Sequence, residues 1–135
     1  MCSQKVFPMK ILVTGASGFI GSFIVEEGLK RGFEVWAGVR GSSSRKFLPD
    51  ERVNFVQLDF SSKARLVEQL QAFKAGSGRW DYIVNAAGVT KCLDKKEFLK
   101  VNYEGTKNFV DALTEAGMQP RKLIYLSSLS IFGPL

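Results

Sequence analysis

The chain has 135 residues, 45% hydrophobic and 24% charged, with a net charge of +6 from 19 basic and 13 acidic residues. That composition is ordinary for a globular domain, and eleven Phe with two Trp supply material for a core, which argues against disorder. There is no His, so within this chain Ser-His and Cys-His mechanisms are excluded; two Cys without a CxxC make a zinc site or a disulfide framework poorly supported, and no metal is expected.

Taken in order, residues 1–9 read as an N-terminal extension without the apolar stretch of a signal peptide, and residues 10–135 as one incomplete domain. Lys10–Thr14 is a short apolar strand. Ser17–Arg31 follows as a helix with Phe19, Ile20, Phe23, Ile24 and Leu29 as its apolar face, ended by Gly32. Phe33–Val39 is a second strand, and the polar, Ser-rich stretch from Arg40 to Pro49 is a loop. Val53–Leu58 is a third strand. Ser61 or Ser62 caps a helix to about Ala75 built on Leu66, Leu70 and Phe73. Tyr82–Ala86 is a fourth strand, Lys95 to about Ala116 a long helix stopped by Gly117 and Pro120, and Lys122–Ser127 a fifth strand. Short, continuously apolar strands alternating with helices indicate an α/β fold with a parallel sheet covered on both faces.

The clearest chemical feature is Thr14-Gly15-Ala16-Ser17-Gly18-Phe19-Ile20-Gly21, between the first strand and the first helix. Gly15 permits a tight turn, Gly18 leaves room for a diphosphate, and Gly21 is assigned to close packing of helix on sheet. The helix start presents free N–H groups and partial positive charge to an anion. Gly15, Ser17, Gly18, Phe19, Ile20 and Gly21 are therefore the candidate diphosphate positions. The loop lacks the Gly-Lys-Ser/Thr of a mononucleotide-binding Walker loop. The end of the second strand carries Val39 and Arg40 rather than an acid. A guanidinium suits a 2′-phosphate, so Arg40, with Ser42 and Arg45 or Lys46 nearby, favours NADP, with NAD as the alternative.

The Gly-x-x-Gly-x-x-Gly spacing after Thr14 resembles the extended short-chain dehydrogenase/reductase family, the NAD(P)-dependent epimerases, dehydratases and reductases. Later motifs carry the resemblance across residues 10–133. Asp59-Phe60 looks like the acidic-apolar pair that holds the adenine ring. Asn85-Ala86-Ala87-Gly88 resembles the loop bordering the cofactor. Asn102-x-x-Gly105-Thr106-x-Asn108 resembles the helix motif that supports the active site. Leu126-Ser127-Ser128 through Gly133 resembles the fifth-strand ending that carries the active-site Ser. Asp59 also reads as a helix-entry acid before Ser61.

The resemblance implies a Rossmann-type doubly wound sheet of order 3-2-1-4-5, truncated before the later strands and substrate region. It implies cofactor contacts at Asp59, Phe60, Ala86, Ala87, Gly88, Asn102 and Ser127, and a catalytic hydroxyl at Ser128. In the family a Tyr-x-x-x-Lys pair beyond that Ser moves the proton. Tyr103-x-x-x-Lys107 has the spacing but precedes Ser128 inside a helix motif, and reads as coincidence. The expected intact protein is a cytoplasmic oxidoreductase or epimerase. It would act on a small-molecule substrate, with homodimerisation through a later helix pair and no nucleic-acid or membrane partner. The chain alone is expected to be inactive, and the sheet edge at the fifth strand to be bare. A non-catalytic dinucleotide sensor of the same fold is the alternative function, and a nucleic-acid binder using the +6 charge a third.

Overall fold

The computed structural model describes residues 8–39, 51–87, 96 and 100–126. Arg40, Ser42, Arg45, Lys46, Gly88, Ser127 and Ser128 lie outside the described residues. The strands are β1 (Lys10–Thr14), β2 (Glu34–Val39), β3 (Asn54–Gln57), β4 (Tyr82–Asn85) and β5 (Lys122–Tyr125). The helices are α1 (Phe19–Lys30), α2 (Lys63–Ser77) and α3 (Gly105–Glu115). A π-helical turn over Lys100–Glu104 leads directly into α3.

The strands form one parallel sheet in the order β3-β2-β1-β4-β5. This is the predicted α/β Rossmann-type arrangement. The chain runs from β1 outward through β2 to β3, then returns to the other side of β1 for β4 and β5. Neighbouring crossovers therefore leave opposite sides of β1, and a crevice opens there at the carboxyl ends of the strands.

Strand alternation distributes the core over two faces. Leu12 and Ile83 point to one face, where Leu66, Leu70 and Phe73 of α2 meet Phe109, Ala112 and Leu113 of α3. Ile11, Val13, Val35, Ala37 and Val84 point to the other, which α1 covers with Val25. Ser62 caps α2 as expected, its hydroxyl accepting from the Arg65 N–H at 3.3 Å. Gly32, at φ +81°, closes α1 in the left-handed conformation that glycine adopts without strain.

Two features depart from the sequence reading. The apolar face assigned to α1 is buried only in part: Ile24 and Leu29 pack partly buried against the core, whereas Phe19, Ile20 and Phe23 are 80%, 57% and 56% exposed, and the fully buried positions are Gly21, Val25 and Gly28. The reason is proximity. A Cβ on Gly28 would stand 3.0 Å from Val35 Cγ2, so α1 lies too close to β2 for bulky side chains to intervene. The second departure is the π turn before α3, where an uninterrupted α-helix was expected. At the sheet edge, Leu123, Ile124, Tyr125 and Leu126 are all exposed. Among the described residues no helix is long and apolar enough to cross a membrane, and no cluster of His, Cys, Asp or Glu could hold a metal ion.

Candidate dinucleotide site

The site begins where β1 ends. Gly15, at φ +68°, turns the chain, and its carbonyl accepts the Gly18 N–H at 3.0 Å. Gly18 is the N-cap of α1 in extended conformation, with its carbonyl accepting the Ser22 N–H at 2.9 Å. It has no side chain to cap the helix, and the first turn of α1 carries no acid. The first N–H groups of a helix have no intrahelical acceptor, so Phe19, Ile20 and Gly21 present theirs at this end. Ser17 and Gly18 are exposed beside them.

The three glycines do different work. A Cβ on Gly15 would lie 2.6 Å from the backbone of Ala86 and Ala87, so Gly15 lets the exits of β1 and β4 touch. A Cβ on Gly21 would lie 2.1 Å from the Gly15 carbonyl oxygen. Gly21 therefore packs α1 onto its own entry loop. The assignment of Gly21 to helix-on-sheet packing is corrected, since Gly28 performs that role. Gly18 differs from both: its Cβ would meet only the Gly15 oxygen, at 3.3 Å. That atom is backbone and the contact is tight, so a side chain at Gly18 needs the loop to give by a few tenths of an ångström, a smaller demand than at Gly15 or Gly21. An anion resting on the helix start would add a demand of its own.

A buried polar pair joins the two exits. The Thr14 hydroxyl donates to Asn85 Oδ1 at 2.6 Å, and the same oxygen accepts the Ala87 N–H at 3.3 Å. Thr14 and Asn85 are the buried polar side chains of the described core. Both partners are satisfied, so the pair holds the loops without an exposed cost of desolvation.

The exit of β3 is built as densely. The Asp59 carboxylate accepts from the Ser61 N–H at 3.0 Å and the Ser61 hydroxyl at 2.5 Å, and lies 3.6 Å from Arg65. The helix-entry role of Asp59 is thus present in its contacts. Phe60 packs edge-on against Phe109, with ring centroids 5.1 Å apart. Asn102 lies half-buried in the π turn, and its carbonyl accepts the Thr106 hydroxyl at 2.9 Å. π turns inside helices gather at functional sites. Lys107 is committed elsewhere: its ammonium bonds Asp111 at 3.0 Å, and that bond holds its pKa above the ordinary lysine value. A lysine so occupied, beside an exposed Tyr103, is not arranged as a proton-transfer pair.

With this geometry in view, the comparisons with known proteins decide the family. Residues 11–135 match the model of the NAD dependent epimerase/dehydratase family. The chain belongs to that family. It is 31% identical to a UDP-glucose 4-epimerase of Klebsiella pneumoniae over 93% of this chain and 93% of that sequence. It is 30% identical to the divinyl chlorophyllide a 8-vinyl-reductase of Cucumis sativus over 93% of this chain but 30% of the reductase. The structure of the Thermus thermophilus UDP-glucose 4-epimerase in complex with NAD superposes with a TM-score of 0.66 at 29% identity, covering 85% of this chain and 36% of that one. The chain thus spans about a third of the length of that reductase and that epimerase structure. The extended short-chain dehydrogenase/reductase resemblance of the sequence motifs agrees with this membership.

Proposed function

We propose that this chain holds the diphosphate of a nicotinamide dinucleotide on the backbone N–H groups of Phe19 and Ile20, as the cofactor-binding part of an oxidoreductase or epimerase. The observation that carries the reading is the start of α1: an exposed N-cap glycine, Gly18, with no side-chain cap and no acid in the first turn. Ser17 and Gly21 complete the cradle, and Ala86 and Ala87, pinned through Asn85, wall its other side. A bound nicotinamide supplies hydride exchange at a carbon bearing a hydroxyl or carbonyl. The residues of this chain bind and orient it. Ser128 is proposed as the hydroxyl that steadies the substrate oxygen, next to Ser127, and Gly88 as part of the loop that borders the nicotinamide half. NADP is the proposed cofactor, because Arg40 follows β2 where an NAD-binding protein places an acid.

The test separates binding from folding. An aspartate at an N-cap is a favourable helix cap, which offsets the few tenths of an ångström that the Gly15 carbonyl must give, so Gly18→Asp should leave stability within about 1 kcal/mol of wild type. The same carboxylate faces the diphosphate, and NADPH affinity, read by nicotinamide fluorescence, should fall by more than about 100-fold. Undiminished NADPH binding by Gly18→Asp removes the diphosphate assignment. Arg40→Ala should weaken NADPH by roughly 30-fold and NADH by less than about twofold. Equal losses for the two cofactors overturn the 2′-phosphate assignment alone.

A further inference from the structure

Asn108 belongs to the helix motif singled out in the sequence, yet nothing in the diphosphate cradle uses it. In the structure it reaches across the molecule. Its side-chain amide donates to the Phe60 carbonyl at 3.0 Å, a bond spanning 48 residues of chain. The neighbouring peptide is held from a second helix: Gln69 Oε1 in α2 accepts the Asp59 N–H at 2.9 Å. Two consecutive residues at the exit of β3 are therefore gripped by side-chain amides from two different helices. Phe60 is braced further by its edge-on ring contact with Phe109, the residue after Asn108. The Leu58 N–H ties the start of the same turn to the Val39 carbonyl at the end of β2, at 3.0 Å.

The position of this turn gives the grip a purpose. A dinucleotide lies across the carboxyl ends of the strands, centred on the crevice beside β1, and its adenosine ribose is read at the end of β2. In the order β3-β2-β1 the next strand outward is β3, so the Asp59-Phe60 turn stands at the next strand exit beyond that ribose. A turn that receives a flat base must keep one backbone shape, and a loose loop would have to be ordered on binding, at a cost in affinity. We propose that Asn108 and Gln69 are positioning residues that hold the Asp59-Phe60 turn in the shape that receives the adenine end of the dinucleotide, without touching the ligand themselves. The inference rests on the dinucleotide reading above and extends it to the far end of the ligand.

A structural bond and a positioning bond differ in which half of the ligand feels their loss. The test titrates wild type, Asn108→Asp and Gln69→Leu with ADP, which carries the adenine, and with nicotinamide mononucleotide, which does not, following amide chemical shifts. NADPH binding to wild type is measured alongside. Asn108→Asp keeps the side-chain shape, removes the donor and sets a carboxylate against the Phe60 carbonyl. It should weaken ADP by roughly tenfold and leave nicotinamide mononucleotide within about twofold. Gln69→Leu should show the same split with a smaller loss, and it carries the test if Asn108→Asp does not fold. Equal weakening of the two ligands makes the bonds merely structural and overturns the proposal, as does unchanged ADP binding in folded variants. Failure of wild type to bind NADPH at all is a different result: it defeats the dinucleotide reading, and this inference with it.

Discussion

The two faces of the sheet are packed on different principles. One is filled by large side chains: Trp80, Phe109, Leu66, Leu70 and Met118 are nearly or wholly buried where α2 and α3 meet. At the other, beneath α1, the buried residues are smaller, Ile11, Val13, Ala16, Val25, Val35 and Ala37 among them, and larger ones such as Phe33, Phe55 and Tyr82 are only partly buried against them. The large-residue face lets its helices stand off the sheet and draws its strength from apolar area. The small-residue face brings α1 against β1 and β2, which aims the helix start at the crevice. One face mainly stabilises the fold, and the other mainly places a binding element.

This contrast predicts different responses to substitution. The largest effect belongs to the large-residue face. Phe109 is fully buried, and Phe109→Ala leaves a cavity between α3 and the Phe60 ring. It should cost about 3–5 kcal/mol in denaturant unfolding. A cost below about 1 kcal/mol would mean that this face collapses around the gap and is less tightly packed than described.

An intermediate effect belongs to the close-packed face. Gly21→Ala places a methyl 2.1 Å from the Gly15 oxygen, and that atom is backbone, so the loop itself must shift. The expected cost is about 1–3 kcal/mol. Unlike the Phe109 cavity, this displacement also moves the Phe19 and Ile20 N–H groups. NADPH binding should therefore fall more than stability alone explains, even at temperatures where the variant is fully folded. Retention of both stability and binding would show that α1 has room to retreat, and would dissolve the distinction between the faces.

The element sequence was legible because each strand is a short, continuous apolar run and each break carries Gly, Ser or Pro, whereas the sheet order came with the family resemblance of the motifs. The diphosphate loop was legible because glycine spacing reports backbone demands directly. What escaped is instructive. Periodicity marks Phe19, Ile20 and Phe23 as one face of a helix but does not say whether that face is covered, and here glycines hold the buried side. Trp80 lies between α2 and β4, outside every predicted element, yet it is 1% exposed and stacks on Phe73 with centroids 4.1 Å apart. No repeat carries a core residue in a connector. The π turn at Lys100–Glu104 likewise leaves no pattern in composition. The Asn108 and Gln69 bonds join residues 48 and 10 apart, and side-chain bonds of that span have no local signature.

The smallest effect is the sharpest check on the small-residue face. If α1 takes its place from Gly21, Val25 and Gly28, its aromatic residues contribute little to the fold although they are the most apolar on the helix. Phe23 is 56% exposed, and its described ring contact is with Phe19, itself 80% exposed, at a centroid separation of 5.0 Å. Replacing it with Ser forfeits that exposed ring pair and buries no polar group. Helix propensity is nearly equal for the two residues. Phe23→Ser should therefore change unfolding free energy by less than about 1 kcal/mol, well under the Phe109 value. It should also lower the binding of an apolar dye to the native protein, because contiguous exposed rings are what such a dye seeks. A loss approaching that of Phe109→Ala would mean that Phe23 is a core residue after all, and that the close approach of α1 to β2 is not what sets this face.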